Sequence, residues 1–172
     1  MLREEGYQLR ALEPQDLNWL YSVENDAALW PLGWSKWPLS RAVLKSYLET
    51  QSGSLFQDGQ LRLVYCLTSD SSVPIGIVDL FDYDPIAQKA GVGITVHAQR
   101  RGMGHGKRML GLLLAYCTEV LNLDNLYAHV PVTNVASQRV FEEYKFETVG
   151  VLKHWIKRNQ RFEDATLVQK LL

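Results

Sequence analysis

The segment with the clearest chemical signature lies at residues 99–108, where Gly102, Gly104 and Gly106 occupy alternate positions. Glycine lets a backbone fold closely over a ligand, and the first turn of a following helix directs N–H groups and its dipole at an anion. An apolar run on each side of the segment favours a strand before it and a helix after it. Positive charge is added by Arg100, Arg101, Lys107 and Arg108. The segment therefore predicts a site for a phosphorylated cofactor.

The spacing of the glycines discriminates between cofactors. A Rossmann loop requires G-x-G-x-x-G, and a Walker loop requires a Ser or Thr after its lysine, where this chain has Arg108. The pattern Gln99-x-x-Gly102-x-Gly104 resembles instead the [Q/R]-x-x-G-x-[G/A] signature of the GCN5-related N-acetyltransferases (GNAT). In that family the signature binds the pyrophosphate of acetyl-CoA, so the resemblance implies acetyl-CoA as the cofactor.

The elements that position this loop are predicted from hydrophobic periodicity and capping residues. Strands are predicted at residues 7–12, 61–68, 73–82, 90–96 and 125–132, with a closing hairpin at 146–155 and 162–171. Helices are predicted after Pro14, after Ser40, at residues 109–121 and after Asn134. This order predicts an α/β, GNAT-like fold over residues 1–172, a single domain whose mixed central sheet of about seven strands is flanked by about four helices.

Composition argues against several classes of function. The chain has 172 residues and a net charge of −1, which does not favour nucleic-acid binding driven by bulk charge. Its most apolar stretch is shorter than a membrane span and contains Glu119. Cys66 and Cys117 lie far apart in apolar runs, which is typical of reduced core cysteines. We therefore expect a cytoplasmic protein with neither a nucleic-acid nor a membrane partner.

The family resemblance extends over nearly the whole chain and is strongest to the branch of spermidine N-acetyltransferases and ribosomal-protein N-terminal acetyltransferases. Beyond the glycine loop it rests on Gly76, on Asn134-x-x-Ser137 and on Phe146-x-x-x-Gly150. It implies that two strands splay apart around the pantetheine arm, and that a backbone amide at residues 95–97 binds the reacting carbonyl oxygen. The cofactor-binding residues expected here are Thr95, Val96, Gln99, Arg100, Arg101, Gly102, Met103, Gly104, His105, Gly106, Lys107, Asn134 and Ser137.

Two positions depart from the pattern of this branch. Gly91 stands where the family usually has a glutamate base, and Phe141 stands where it usually has the tyrosine that protonates the leaving thiolate. Loss of the base matters more, because an alkyl ammonium has a pKa of about 10 and is rarely nucleophilic at pH 7. The candidate replacement bases are Asp79, Asp82 and His129. Strand alternation predicts that residues 79 and 82 lie on opposite faces, so only one of the two acids would face a given cleft.

The family resemblance implies that the segment between the first two helices forms one wall of the acceptor site, and in this chain the segment carries Trp30, Trp34 and Trp37. Aromatic faces attract a cation, but Lys36 opposes one. The segment therefore favours an acceptor of mixed apolar or anionic character over spermidine. The alternative is that the indoles pack against the sheet or against a second subunit.

The sequence predicts an acetyl-CoA-dependent N-acetyltransferase that works by direct attack in a ternary complex, with no metal and no covalent enzyme intermediate. Its acceptor is a primary amine of a small molecule, such as a polyamine, an amino acid or an amino sugar, or a protein N-terminus. The alternative is a catalytically weakened acyl-CoA-binding module that acts as a sensor or partner protein, and Gly91 and Phe141 are the features that favour it. The resemblance also implies a homodimer.

Overall fold

The computed structural model describes residues 2–30, 37–158 and 160–172. These residues form eight strands and five α-helices. The strands are β1 (Arg3–Glu4), β2 (Tyr7–Ala11), β3 (Leu61–Leu67), β4 (Pro74–Asp84), β5 (Lys89–Val96), β6 (Asn125–Pro131), β7 (Glu147–Arg158) and β8 (Arg161–Leu171). The helices are α1 (Leu17–Glu24), α2 (Arg41–Thr50), α3 (Leu55–Asp58), α4 (His105–Glu119) and α5 (Val135–Glu143).

The predicted α/β class and mixed sheet are confirmed. The two elements that the sequence did not predict are β1, of two residues, and α3, of four. Neither is long enough to show a hydrophobic period, which is the signal on which the prediction rested. Among the described residues no helix has both the length and the apolar character needed to cross a membrane.

One sheet runs through the molecule in the order β1-β2-β3-β4-β5-β6-β8-β7. Every neighbouring pair is antiparallel except β5 and β6, which are parallel. That parallel pairing covers only Lys89–Gly91 opposite Asn125–Tyr127. Both strands continue beyond it, β5 to Val96 and β6 to Pro131, but without pairing to each other. The sheet therefore opens into a splay between the C-terminal halves of β5 and β6.

Helices cover the two faces of the sheet unequally. Helix α4 lies on one face, where Met109 belongs to the same buried cluster as Val78. Helices α1 and α2 lie on the other face, where Leu20 and Leu44 pack with Ile77. Side chains alternate along the regular part of β4, so Asp79 and Phe81 share with Ile77 the face of α1 and α2. This second face carries the polar and aromatic side chains beside the splay.

Candidate active site

The glycine loop presents an uncapped helix N-terminus. Helix α4 begins after Gly104, which has a φ of +78° and makes no side-chain cap, and Gly102 has a φ of +77°. The first helical bond runs from the N–H of Arg108 to the carbonyl of Gly104, at 3.3 Å. The N–H groups of His105, Gly106 and Lys107 therefore precede the helical ladder and are available to an anion. These features fit a pyrophosphate group.

The cations of the loop make contacts that orient them. Lys107 forms an exposed ion pair with Glu143 at 3.0 Å, and Arg108 lies over the ring of Tyr7 at 5.3 Å. Arg101 donates from Nε to the carbonyl of Val96 at 3.1 Å, which ties the loop to the end of β5. Of the loop residues, His105 is buried, Gly106 is partly buried and the others are exposed.

The side chain of His105 points into the protein rather than toward a ligand. Its ring makes edge contacts with Tyr7 and Tyr65, at 5.6 and 5.7 Å between centroids. Burial lowers the pKa of His105, and the positive charges of Arg108 and Arg100 lower it further. A neutral imidazole therefore anchors the first residue of α4, and only its backbone N–H faces the loop.

Backbone groups of β5 face the splay at alternate residues. The N–H of His97 donates to the carbonyl of Ile75 on β4, at 2.9 Å. In an antiparallel ladder the residues that bond to one neighbour alternate with those that face the other side, so Thr95 also faces β4. Ile94 and Val96 therefore direct their N–H groups toward β6 and the splay. Of the predicted segment 95–97, Val96 offers the donor for a reacting carbonyl oxygen.

Asn134 and Ser137 act together at the start of α5. The Asn134 Oδ1 accepts a hydrogen bond from the N–H of Ser137 at 3.2 Å, which is an N-cap. This bond leaves the amide NH₂ of Asn134 able to donate to a ligand. Phe141, farther along α5, is buried and packs on Phe146 with ring centroids 4.9 Å apart. The position of the missing tyrosine is thus part of the core.

Two glycines of β5 form the floor of a trough on the α1/α2 face. A Cβ added to Gly91 would lie 2.2 Å from the Phe81 ring, and one added to Gly93 would lie 3.4 Å from the Cβ of Asp79. The ring of Phe81 therefore fills the space of the side chain that position 91 lacks. Gly93 is partly exposed, and a Cβ there would make only ordinary contacts, with Asp79 and with the Phe81 ring at 3.9 Å.

Asp79 belongs to a partly buried ionic network. Arg62 donates from Nε to Asp79 at 2.6 Å and from Nη1 to Glu24 at 2.5 Å. Burial opposes the charge of Arg62, but the two carboxylates outweigh it and raise the pKa of the guanidinium. The two hydrogen bonds from Arg62 hold the carboxylates of Asp79 and Glu24 in place beside the trough.

Asp82 and His129 are brought together, with Tyr127, on the other side of the trough. The pairing of β4 with β5 is irregular between Phe81 and Asp84, and Asp82 has a φ of +50°. This bulge turns the Asp82 carboxylate toward Tyr127, whose hydroxyl donates to it at 3.3 Å. Tyr127 also contacts the ring of Phe81, at 6.0 Å. The prediction that strand alternation sends Asp82 to the opposite face was therefore wrong.

Burial and the Asp82 carboxylate set the protonation of the neighbouring groups. Burial, with Asp82 adding to it, raises the pKa of Tyr127 to about 12, so its hydroxyl stays protonated. Burial lowers the pKa of His129, while Asp82 acts weakly in the opposite sense. The His129 imidazole is therefore neutral at pH 7 and able to accept a proton.

The predicted acceptor tryptophans are only partly described. The indole N–H of Trp30 donates to the carbonyl of Glu24 at 2.8 Å, which joins the end of α1 to the segment after it. Trp37 is 62% exposed. Trp34 and Lys36 lie outside the described residues.

Sequence analysis missed four contributors to this site: Tyr127, Trp155, Arg62 and Glu24. Trp155 lies on β7, and its ring is 5.3 Å from that of His129. Tyr127 and His129 are two residues apart on a strand, so their shared face was open to prediction. The contacts of Trp155, Arg62 and Glu24 join distant parts of the chain and leave no local signal.

A cleft of about 290 Å³ opens beside the bulge of β4. It is lined by Asp58, Gly59, Gln60, Phe81, Asp82 and Tyr83. The cleft extends from Asp82 to the end of α3 at Asp58. It could therefore hold the part of an acceptor that lies away from His129.

Known proteins resemble this chain in sequence and in structure. The spermidine N(1)-acetyltransferase of Vibrio cholerae is 26% identical over 157 residues, which cover 91% of this chain and 88% of that protein. The N-alpha-acetyltransferase 50 of Danio rerio is 32% identical over 75 residues, 44% of each chain. The crystal structure of the V. cholerae spermidine N-acetyltransferase in complex with CoA and spermine superposes with a TM-score of 0.86 and 25% identity. The superposition covers 98% of this chain and 96% of the V. cholerae chain.

The family model that describes the acetyltransferase (GNAT) domain matches residues 7–147, most of the chain. That range includes the glycine loop, the splay and the trough. The predicted cofactor, acetyl-CoA, and the predicted transfer of an acetyl group to an amine are confirmed by these comparisons. The chain belongs to the GNAT family and is an N-acetyltransferase.

Proposed function

We propose that His129 is the general base of this N-acetyltransferase, and that the acceptor amine attacks directly in a ternary complex. The observation that carries the proposal is the position of His129. It lies on β6 two residues beyond the last pair with β5, at the mouth of the splay and across from Gly93. An amine above Gly93 has this neutral imidazole on one side and the Asp79 carboxylate on the other.

The two acids are suited to other roles. Asp79 already accepts a hydrogen bond from Arg62 at 2.6 Å, so its carboxylate is engaged in that ion pair. Asp82 is exposed and receives the Tyr127 hydroxyl. Their negative charges attract an ammonium group to the trough, and His129 then removes its proton.

Acetyl-CoA supplies the acetyl group as a thioester. The residues proposed to hold it are the N–H groups at the start of α4, the cations of the loop and the amide of Asn134. The N–H of Val96 donates to the carbonyl oxygen on which negative charge develops. No side-chain acid is needed at Phe141, since a thiol of pKa about 8.5 leaves readily as its thiolate.

The acceptor is a primary amine of a small molecule or of a protein N-terminus. One relative named above is a spermidine N(1)-acetyltransferase and another is an N-alpha-acetyltransferase, and one V. cholerae structure is described as dodecameric. By analogy the chain self-associates, at least as a homodimer. A polyamine remains among the acceptors to be tested.

The test is thiol release from acetyl-CoA, followed with a disulfide dye, against separate pools of polyamines, amino acids, amino sugars and short peptides. Release with one pool supports the proposal and names the acceptor. His129→Gln should lose most of this activity at pH 7, while Val151→Ala, on an exposed part of β7, serves as the matched control. Full activity of His129→Gln would remove His129 from the mechanism.

A further inference from the structure

Four aromatic rings form a continuous row along the trough. Phe81, Tyr127, His129 and Trp155 contact one another in that order, with centroids 6.0, 5.5 and 5.3 Å apart. The row starts on β4, crosses the splay on β6 and ends on β7. The proposed base is a member of it, so an acceptor amine that reaches His129 must place its neighbouring atoms against these rings.

A backbone irregularity lies next to each end of the row. Asp82, next to Phe81, has a φ of +50°, and His154, next to Trp155, has a φ of +53°. The β7–β8 register shifts between Leu152 and Ile156, and the N–H of His154 donates to Asp164 at 2.9 Å. Bulges of this kind redirect side chains and occur beside active sites. Trp155 is thus turned back across β8 to His129 although it remains 54% exposed.

The charge around the base is small. The only charged group that perturbs the pKa of either Tyr127 or His129 within the described residues is the Asp82 carboxylate. Two other acids on this face of the sheet, Asp79 and Glu24, share the cation Arg62. A site with one uncommitted carboxylate and several aromatic surfaces suits one ammonium group with an apolar neighbour, rather than an extended polycation.

We infer that the aromatic row is a specificity subsite for an apolar group, aromatic or branched aliphatic, carried next to the acceptor amine. This inference rests on the proposed function, since it places the amine at His129. The group packs between Trp155 and the trough, and the Phe81 ring closes the end where position 91 has no side chain. Trp155 is a specificity-determining residue on this assignment, and its ring acts on the acceptor without taking part in proton transfer.

The test compares matched acceptors with and without the apolar group. Free amines are represented by 2-phenylethylamine against ethanolamine, peptide N-termini by Phe-Ala-Ala against Gly-Ala-Ala, and extended cations by spermidine. The wild type should show a higher kcat/KM for the apolar member of a pair. Trp155→Ala should lower that kcat/KM by roughly five- to tenfold, mainly through KM, and leave the small member within about twofold. Trp155→Phe should restore most of the preference, and Val151→Ala should leave it unchanged.

The outcomes separate this inference from the function on which it rests. If none of the acceptors gives thiol release, the proposed function itself is refuted. Release that favours spermidine, or an unchanged preference in Trp155→Ala, would overturn the inference while the function stands. An equal loss for all acceptors together with a lower sedimentation coefficient would also overturn it, and would assign Trp155 to contact with a second copy of the chain.

Discussion

Replacing His129 with glutamine tests the reaction mechanism most directly. Glutamine is close to histidine in size and keeps polar atoms between Tyr127 and Trp155, but it cannot accept a proton at neutral pH. The burial that lowers the pKa of His129 keeps the wild-type imidazole neutral at pH 7. The substitution therefore removes a working base and leaves acetyl-CoA binding at the glycine loop intact.

The size of the loss follows from the pKa of the acceptor. Without a base the enzyme must capture the amine already deprotonated, which for an alkyl amine of pKa about 10 is about one molecule in a thousand at pH 7. The kcat/KM of His129→Gln should then fall by about a thousandfold, within the usual range for general base catalysis. For a peptide α-amine of pKa about 8 the loss should be only about tenfold. The loss therefore also reports the class of acceptor.

The assay is thiol release measured from pH 5 to pH 10. Burial disfavours the imidazolium, so wild-type kcat/KM should fall as the pH drops through a pKa below the ordinary histidine value of about 6.5. His129→Gln should lack this limb, and its deficit should shrink by about tenfold per pH unit until the acceptor pKa is reached. Activity within twofold of wild type across this range would refute the assignment, and the same profile in Asp79→Asn would transfer the role to Asp79.

Three further predictions concern the loop, the ionic network and the trough. Gly104→Glu should weaken CoA binding in calorimetry by at least a hundredfold, because it places a negative charge at the anion site. Gly104→Ala introduces the same strain at a positive φ but no charge, so it should weaken binding far less. Equal losses in the two variants would contradict the charge argument. Arg62→Gln should cost about 3 kcal/mol in urea unfolding by leaving two carboxylates without their buried cation, and a change under 1 kcal/mol would contradict it. Gly91→Ala should lower the free energy of unfolding by about 1–3 kcal/mol, because its methyl group displaces the Phe81 ring. In a chain that also carries Phe81→Ala, the substitution at position 91 should cost less. If the double variant loses the simple sum of the two single losses, the two residues do not compete for space.

The parts of the site that sequence predicts are those encoded by neighbouring residues. The spacing of Gly102 and Gly104 predicted the loop, in which both have a positive φ. The three-residue spacing of Asn134 and Ser137 predicted the helix N-cap that the two residues form. The order of strands and helices follows in the same way from local periodicity. Each of these features needs only a few consecutive residues to be specified.

The parts that sequence does not predict depend on register and on bulges. Arg62 meets Asp79 because β3 pairs with β4 in one register, and no local pattern fixes that register. The bulge at Asp82 reverses the face that simple alternation assigns to it, and the bulge at His154 sends Trp155 across an intervening strand. Both bulges interrupt a period of two, so reasoning from that period fails where the site is built.

Gly91 and Phe81 are best understood as a pair, an exchange in which the Phe81 ring takes the space of the side chain that position 91 lacks. Even a methyl group at position 91 would lie 2.2 Å from the Phe81 ring, so a glutamate there and this ring cannot occupy the trough together. A base is still required for an ammonium acceptor, and we propose that His129 provides it from the opposite side of the splay. On that proposal, an apolar wall stands where the family usually has a charged one, and proton transfer takes place at β6 instead. An enzyme altered in this way gains affinity for an amine with an apolar neighbour, because the surface beside the reacting nitrogen no longer repels that group.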